Sequence, residues 1–199
     1  ESIGEHPTMV AGVMISKDDE DSDADMNAPM GVAPEARLEA SAFETIGQPL
    51  QSYHSVIDSL QHIALRMKDD ADLTNDVRAI NMSVGVGVGT GGGGTTDGNT
   101  QLSLAVDWSA RQHDVLYVVA GNQLFEEIRP IPTDNFNGMT IAKSARDAQG
   151  VFRVVDDTNF LHESVDAHGD RTSTSLIAPG IDIEVAAFMG AEPEESGTS

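Results

Sequence analysis

Apolar residues recur at three- and four-residue steps from Leu50 to Met67: Leu50, Tyr53, Val56, Ile57, Leu60, Ile63, Ala64 and Met67. That spacing forms one stripe of an α-helix. A second helix is predicted over residues 99–112, with Leu102, Ala105, Val106 and Ser109 along one side. A third opens the chain from His6 to Ile15, where Pro7 suits a first-turn position because its missing N–H loses nothing there. Between these lie short apolar runs. Residues 77–84 read as a buried strand, and residues 115–119, Val-Leu-Tyr-Val-Val, as a central parallel one. Shorter strands are expected at residues 36–43, 139–142, 152–155 and near 181–187. Alternating strands and helices predict an α/β domain built on a parallel sheet.

Two stretches break the pattern. Residues 17–30 carry Lys17 and then Asp18, Asp19, Glu20, Asp21, Asp23 and Asp25, which reads as a solvated acidic loop. Residues 85–98 are a glycine-rich insertion, too rich in breakers for long regular structure. No internal repeat and no linker divides the 199 residues, so one domain is expected.

With 39% hydrophobic residues the chain can bury a core, and with only 5% aromatics small side chains must fill it. The formal net charge of -22 repels phosphate backbones and anionic lipid, so neither nucleic acid nor membrane is an expected partner. The charge reads first as a solubility device and second as a source of divalent-cation ligands. No cysteine is present, which excludes disulfides and thiolate metal sites. No apolar run is long enough to span a bilayer.

Candidate chemistry sits in four segments. Gly4-Glu5-His6-Pro7-Thr8-Met9-Val10-Ala11-Gly12 puts a histidine at a helix start. Asn81-Met82-Ser83-Val84-Gly85 and Ala120-Gly121-Asn122 each end a predicted strand. Ala178-Pro179-Gly180 is followed by Ser196-Gly197-Thr198-Ser199. In open α/β sheets functional groups gather at the carboxyl ends of the strands.

In that order the segments resemble the subtilases, a family of serine peptidases with the motifs His-Gly-Thr-His-Val-Ala-Gly, Asn-Met-Ser-Leu-Gly, Ala-Gly-Asn and Ala-Pro-Gly before Gly-Thr-Ser. Gly31-Val32-Ala33-Pro34-Glu35-Ala36 is also similar to a family segment that leads into a strand. The resemblance implies a three-layer α/β fold, with a mostly parallel sheet and helices on both faces, incomplete at both ends. It implies Ser199 as nucleophile, His6 as general base and Asn122 as donor to the oxyanion. It implies Ser83, Val84 and Gly85 as an edge that pairs with the substrate backbone, and Ala120 and Gly121 as lining of the pocket before the cut. Polypeptides are the implied substrates, in a secreted or envelope-bound enzyme. No cofactor is required, and a structural calcium ion is the one metal the resemblance admits.

Three departures stand out. The family's triad runs Asp, His, Ser, and no Asp precedes His6, so the aspartate is expected before Glu1. Pro7 and Met9 replace the motif's Gly and second His. The helix that normally follows the serine is missing, so these 199 residues alone are expected to be nearly inactive. A subtilase-like binding or scaffold domain without catalysis is the alternative. Two other motifs fail on inspection. Gly87-Val88-Gly89-Thr90-Gly91-Gly92 matches a dinucleotide fingerprint in form, but no helix starts at its third glycine. Asp21-Ser22-Asp23-Ala24-Asp25 begins like a calcium loop but has Met26 and Val32 where glycine and glutamate belong. His54, His62, His113, His162 and His168 lack ligand-like spacing.

Overall fold

The computed structural model describes residues 5–17, 30–40, 57–58, 77–88, 96–121, 129–154, 173–184 and 194–195. The chain forms two compact units, Ala40–Pro179 with Thr198–Ser199, and Glu1–Glu39 with Gly180–Gly197.

The larger unit is organised by a five-stranded sheet. Strands β1 (Ala79–Met82), β3 (Leu116–Ala120), β5 (Met139–Arg146) and β7 (Leu176–Pro179) run parallel in that order, and β6 (Phe152–Val154) returns antiparallel on β5. Side chains alternate across the sheet, so one face carries Ile80, Met82, Tyr117 and Val119, all buried. Against them packs helix α2 (Gln101–His113) through Leu102, Val106 and Ala110, spaced at four-residue steps. Its opposite face leaves Leu104 and Trp108 half exposed. Ile57, helical as the apolar stripe predicts, packs against this core with Val77 and Val84, while residues 50–56 and 59–67 lie outside the described residues.

The ends of α2 are set by sequence. Thr100 is its N-cap, accepting the Ser103 N–H at 3.2 Å. Asp114 closes it in the left-handed conformation, φ 55°, returning its N–H to the Ala110 carbonyl. Tyr117 is fully buried, and its hydroxyl donates to Ser109 Oγ at 2.8 Å. Burial pushes the phenol above its ordinary 10.0, with the Ser109 bond pulling slightly the other way.

A loop after β4 (Arg129–Ile131) locks onto the start of α2. Asp134, with no exposed surface, accepts the Gly98 N–H at 2.8 Å and the Ser103 hydroxyl at 2.5 Å. Asp107 on α2 accepts the N–H groups of both Phe136 and Asn137 at 2.7 Å. At the far end of β5, Asp147 gathers the N–H groups of Gln149 and Val151 and the Arg153 guanidinium, which holds its carboxyl below the usual range. This knits the β5–β6 turn.

The glycine-rich insertion holds one short regular piece: β2 (Val86–Val88) pairs antiparallel with β4. Other expectations change on the structure. Strand β5 runs eight residues rather than four. Strand β7, unread in the sequence because Ala-Pro-Gly looks like a turn, is recruited by its ladder with β5. Leu176 and Ile177 on it are about half exposed. Residues 36–40 are exposed and form no strand; the Ala36 N–H instead closes a turn onto the Ala33 carbonyl at 2.9 Å, and residues 41–43 lie outside the described residues.

In the smaller unit, α1 (Glu5–Ile15) ends against its own returning chain. Gly31, Val32 and Ala33 donate their N–H groups to the carbonyls of Ser16, Val13 and Met14 at 2.8–2.9 Å. Those carbonyls would otherwise be helix-end orphans. Only glycine fits at position 31, since a Cβ there would lie 2.5 Å from the Ser16 nitrogen. Lys17 and Glu35 add an exposed ion pair at 3.2 Å. β8 (Ile183–Glu184) and β9 (Glu194–Glu195) form a two-stranded pair where residues 181–187 were expected to hold a strand.

Two outcomes test this packing. Asp134→Ala strands a buried amide and a buried hydroxyl, and should lower unfolding stability by about 3 kcal/mol in urea denaturation. The raised Tyr117 pKa means the folded state holds its proton more tightly than the unfolded chain. Its contribution is complete below pH 10.0 and is lost as pH rises through the folded value. Alkaline unfolding followed by tyrosinate absorbance should show this loss, and Tyr117→Phe should abolish it.

Candidate active site

The parallel register brings two sequence-predicted segments to one edge. Asn81 pairs with Val118 and Met82 with Val119, so Ser83-Val84-Gly85 and Ala120-Gly121 leave the sheet side by side at the carboxyl ends of β1 and β3. Asn81 Nδ2 donates to Ser83 Oγ at 2.6 Å, which fixes the hydroxyl at the strand exit. Val84 turns in against the core, while Gly85 is exposed and leads directly into β2. Ser83 is half-buried, so only the Gly85 end of the segment is exposed.

The other wall is set by a close approach. Gly121 is buried, and its N–H continues the ladder to the Ile141 carbonyl at 2.8 Å. A Cβ at this position would sit 2.6 Å from that same oxygen. The Ala-Gly pair therefore ends β3 flush against β5, and Asn122 follows immediately in sequence.

His6 is the second residue of α1, at a helix start as its motif predicts. Pro7 beside it is exposed and Met9, at the position of the motif's second histidine, is 7% exposed. The thioether thus fills an interior place where the family pattern has an imidazole. Asn122 and Ser199 lie outside the described residues. The structure accordingly joins Ser83, Val84 and Gly85 to Ala120 and Gly121, and sets His6 in its helix.

Sequence reasoning missed the β2–β4 ribbon, in which Val86 faces Ile131 and Val88 faces Arg129. It grows straight out of the Ser83–Gly85 edge. The Val-Gly-Val-Gly alternation was its one signal, and the glycines masked it. Also missed was the Asp134 cluster; an Asp amid Pro-Thr-Asp-Asn reads simply as a turn. Among the described residues no group of three or more His, Asp or Glu side chains gathers as a metal site, and the run Asp18 to Asp25 lies outside them. Among the described residues no helix is long and apolar enough to cross a membrane.

The profile of the subtilase family, peptidase S8, matches residues 1–181. No curated protein matches the chain significantly. Solved structures with the same fold include the prenylagaramide maturation protease PagA, 22% identical with TM-score 0.61 over 99% of this chain and 60% of its own. A protein described as the S41 psychrophilic protease is 22% identical, TM-score 0.65, over 98% and 58%. The PatG macrocyclase in complex with peptide is 16% identical, TM-score 0.65, over 98% and 49%. The fold is thus the three-layer α/β arrangement with a mostly parallel sheet. The chain belongs to the subtilase family. That membership supports a peptidase function, and the chain spans about 60% of the first of these structures.

The close approach at β3 gives a direct test. Gly121→Ala must push β3 from β5 at the Ile141 carbonyl, and should cost about 1–3 kcal/mol in thermal or urea unfolding. Gly85→Ala, at an exposed position, should cost well under half of that in the same measurement.

Proposed function

We propose that this chain is the central part of a serine endopeptidase that cuts polypeptides by acyl transfer. The observation that carries the reading is the shared exit of Ser83–Gly85 and Ala120–Gly121 from adjacent parallel strands, with the asparagine of the Ala-Gly-Asn motif next in line. A hydroxyl is a poor nucleophile at neutral pH without a base beside it. An imidazole suits that task, with an unperturbed pKa of about 6.5. In this reading Ser199 attacks the scissile carbonyl and His6 takes its proton, later delivering it to the leaving amine. The Asn122 amide donates to the oxyanion, a neutral donor that forms no permanent ion pair. Ser83, Val84 and Gly85 hold the substrate backbone as an added strand, and Ala120 and Gly121 line the pocket for the residue before the cut. The enzyme acts outside the cell or in its envelope, on polypeptides rather than nucleic acid or membrane. The -22 charge favours basic stretches of substrate.

A binding domain without catalysis is the second reading. It is favoured by Pro7 and by the buried Met9, which replace a glycine and a histidine of the motif.

A fluorophosphonate probe separates the two. Applied to the full polypeptide that carries this chain, it should label the native protein and leave Ser199→Ala unlabelled. Labelling that survives the substitution removes Ser199 from the mechanism. No labelling of the folded native protein favours the binding domain.

A further inference from the structure

The sequence contains one Asn-Gly and one Asp-Gly dipeptide, Asn137-Gly138 and Asp97-Gly98. Such pairs are chemically labile. Glycine has no Cβ to keep its amide nitrogen away from the preceding side chain. At Asn137 the Gly138 nitrogen attacks Cγ, a ring C–N bond forms, and the side-chain nitrogen leaves as ammonia with the proton from the Gly138 amide. Water then opens the succinimide to aspartate or isoaspartate. At Asp97 the same attack by the Gly98 nitrogen expels water, which returns on ring opening and leaves isoaspartate. No other reactant is needed.

Both pairs belong to the clasp between the start of α2 and the loop after β4, and both attacking amides are held there. The Gly138 N–H donates to Asn135 Oδ1 at 2.6 Å. The Gly98 N–H donates to Asp134 Oδ2 at 2.8 Å, in a buried site. The electrophile of the first pair is tethered too: Asn137 donates its N–H to Asp107 Oδ1 at 2.7 Å and its side-chain amide to the Asp107 carbonyl at 3.1 Å. Asn135 is itself braced by a 2.7 Å bond from its amide to the Pro132 carbonyl. To react, each glycine nitrogen must lose a proton that is engaged in a bond. At Gly98 the acceptor is a carboxylate, whose charge opposes the amide anion that would form. The Phe136 ring lies against Gly98, which places a residue next to Asn137 in the chain at the second pair.

We propose that Asn137-Gly138 and Asp97-Gly98 form a paired succinimide site that the native loop holds closed and that reacts when the loop opens. Isoaspartate at position 137 adds a main-chain carbon and displaces the groups that bind Asp107. A copy that carries isoaspartate cannot rebuild the clasp, so that modification marks chains that have been open.

The test follows both positions by peptide mapping and mass spectrometry in mildly alkaline buffer, comparing native protein folded and in urea. The folded state should convert Asn137 about ten- to a hundredfold more slowly, given the bonds that must break. Asn135→Ala, checked for folding by circular dichroism, should raise the folded-state rate at Asn137 toward the rate in urea. Asn135→Asp, which keeps an acceptor oxygen, should stay slow. Equal rates in folded and urea-treated native protein overturn the proposal. So does a folded Asn135→Ala that reacts no faster than native, or a folded Asn135→Asp that reacts as fast as Asn135→Ala.

Discussion

The larger unit depends on the parallel register of β1, β3, β5 and β7. Parallel strands bury both faces and need crossovers of a dozen residues or more, so the chain must return to one end of the sheet before each new strand. The exits of these parallel strands therefore point toward the same edge. Pairing Met82 with Val119 aligns the exits of β1 and β3 to within a residue, while β5 runs on past Thr140 to Arg146. The apolar alternation of Ile80, Met82, Tyr117 and Val119 enforces it, because a one-residue slip would turn each of them away from α2.

That constraint explains which parts of the fold were legible in the sequence. The run Val115 to Val119 and the stripe Leu102, Val106 and Ala110 are strong periodic signals that coincide with burial, and both elements were read nearly to their ends. Strand β7 was not, because its residues Leu176 to Pro179 have little pattern of their own and exist as a strand through bonds to β5. The direction of β6 was equally hidden. It follows from a tight turn built by Asp147 and Gly150, the latter at φ 77°, not from any apolar period.

The candidate site divides in the same way. Local motifs identified Ser83 to Gly85 and Ala120 to Gly121, because glycine and small residues mark strand exits. Their adjacency is tertiary and comes from the ladder. Gly121 carries both kinds of information: the motif names it, and the Ile141 carbonyl beneath it supplies the steric reason. Gly31 is similar, since its place in the Gly-Val-Ala-Pro segment is dictated by the end of α1 pressing on it. By contrast the buried Asp134 has no sequence signal, because a carboxylate that three structural elements share looks locally like any loop acid.

Leu176 and Ile177 on β7 leave an apolar strip about half open to water. Exposed apolar surface favours self-association. The acidic surface opposes it by mutual repulsion, acting over a Debye length of about 10 Å at 0.1 M salt. Colloidal behaviour is thereby tied to ionisation. Near the sequence pI of about 4.2 that repulsion vanishes, and self-association is least opposed.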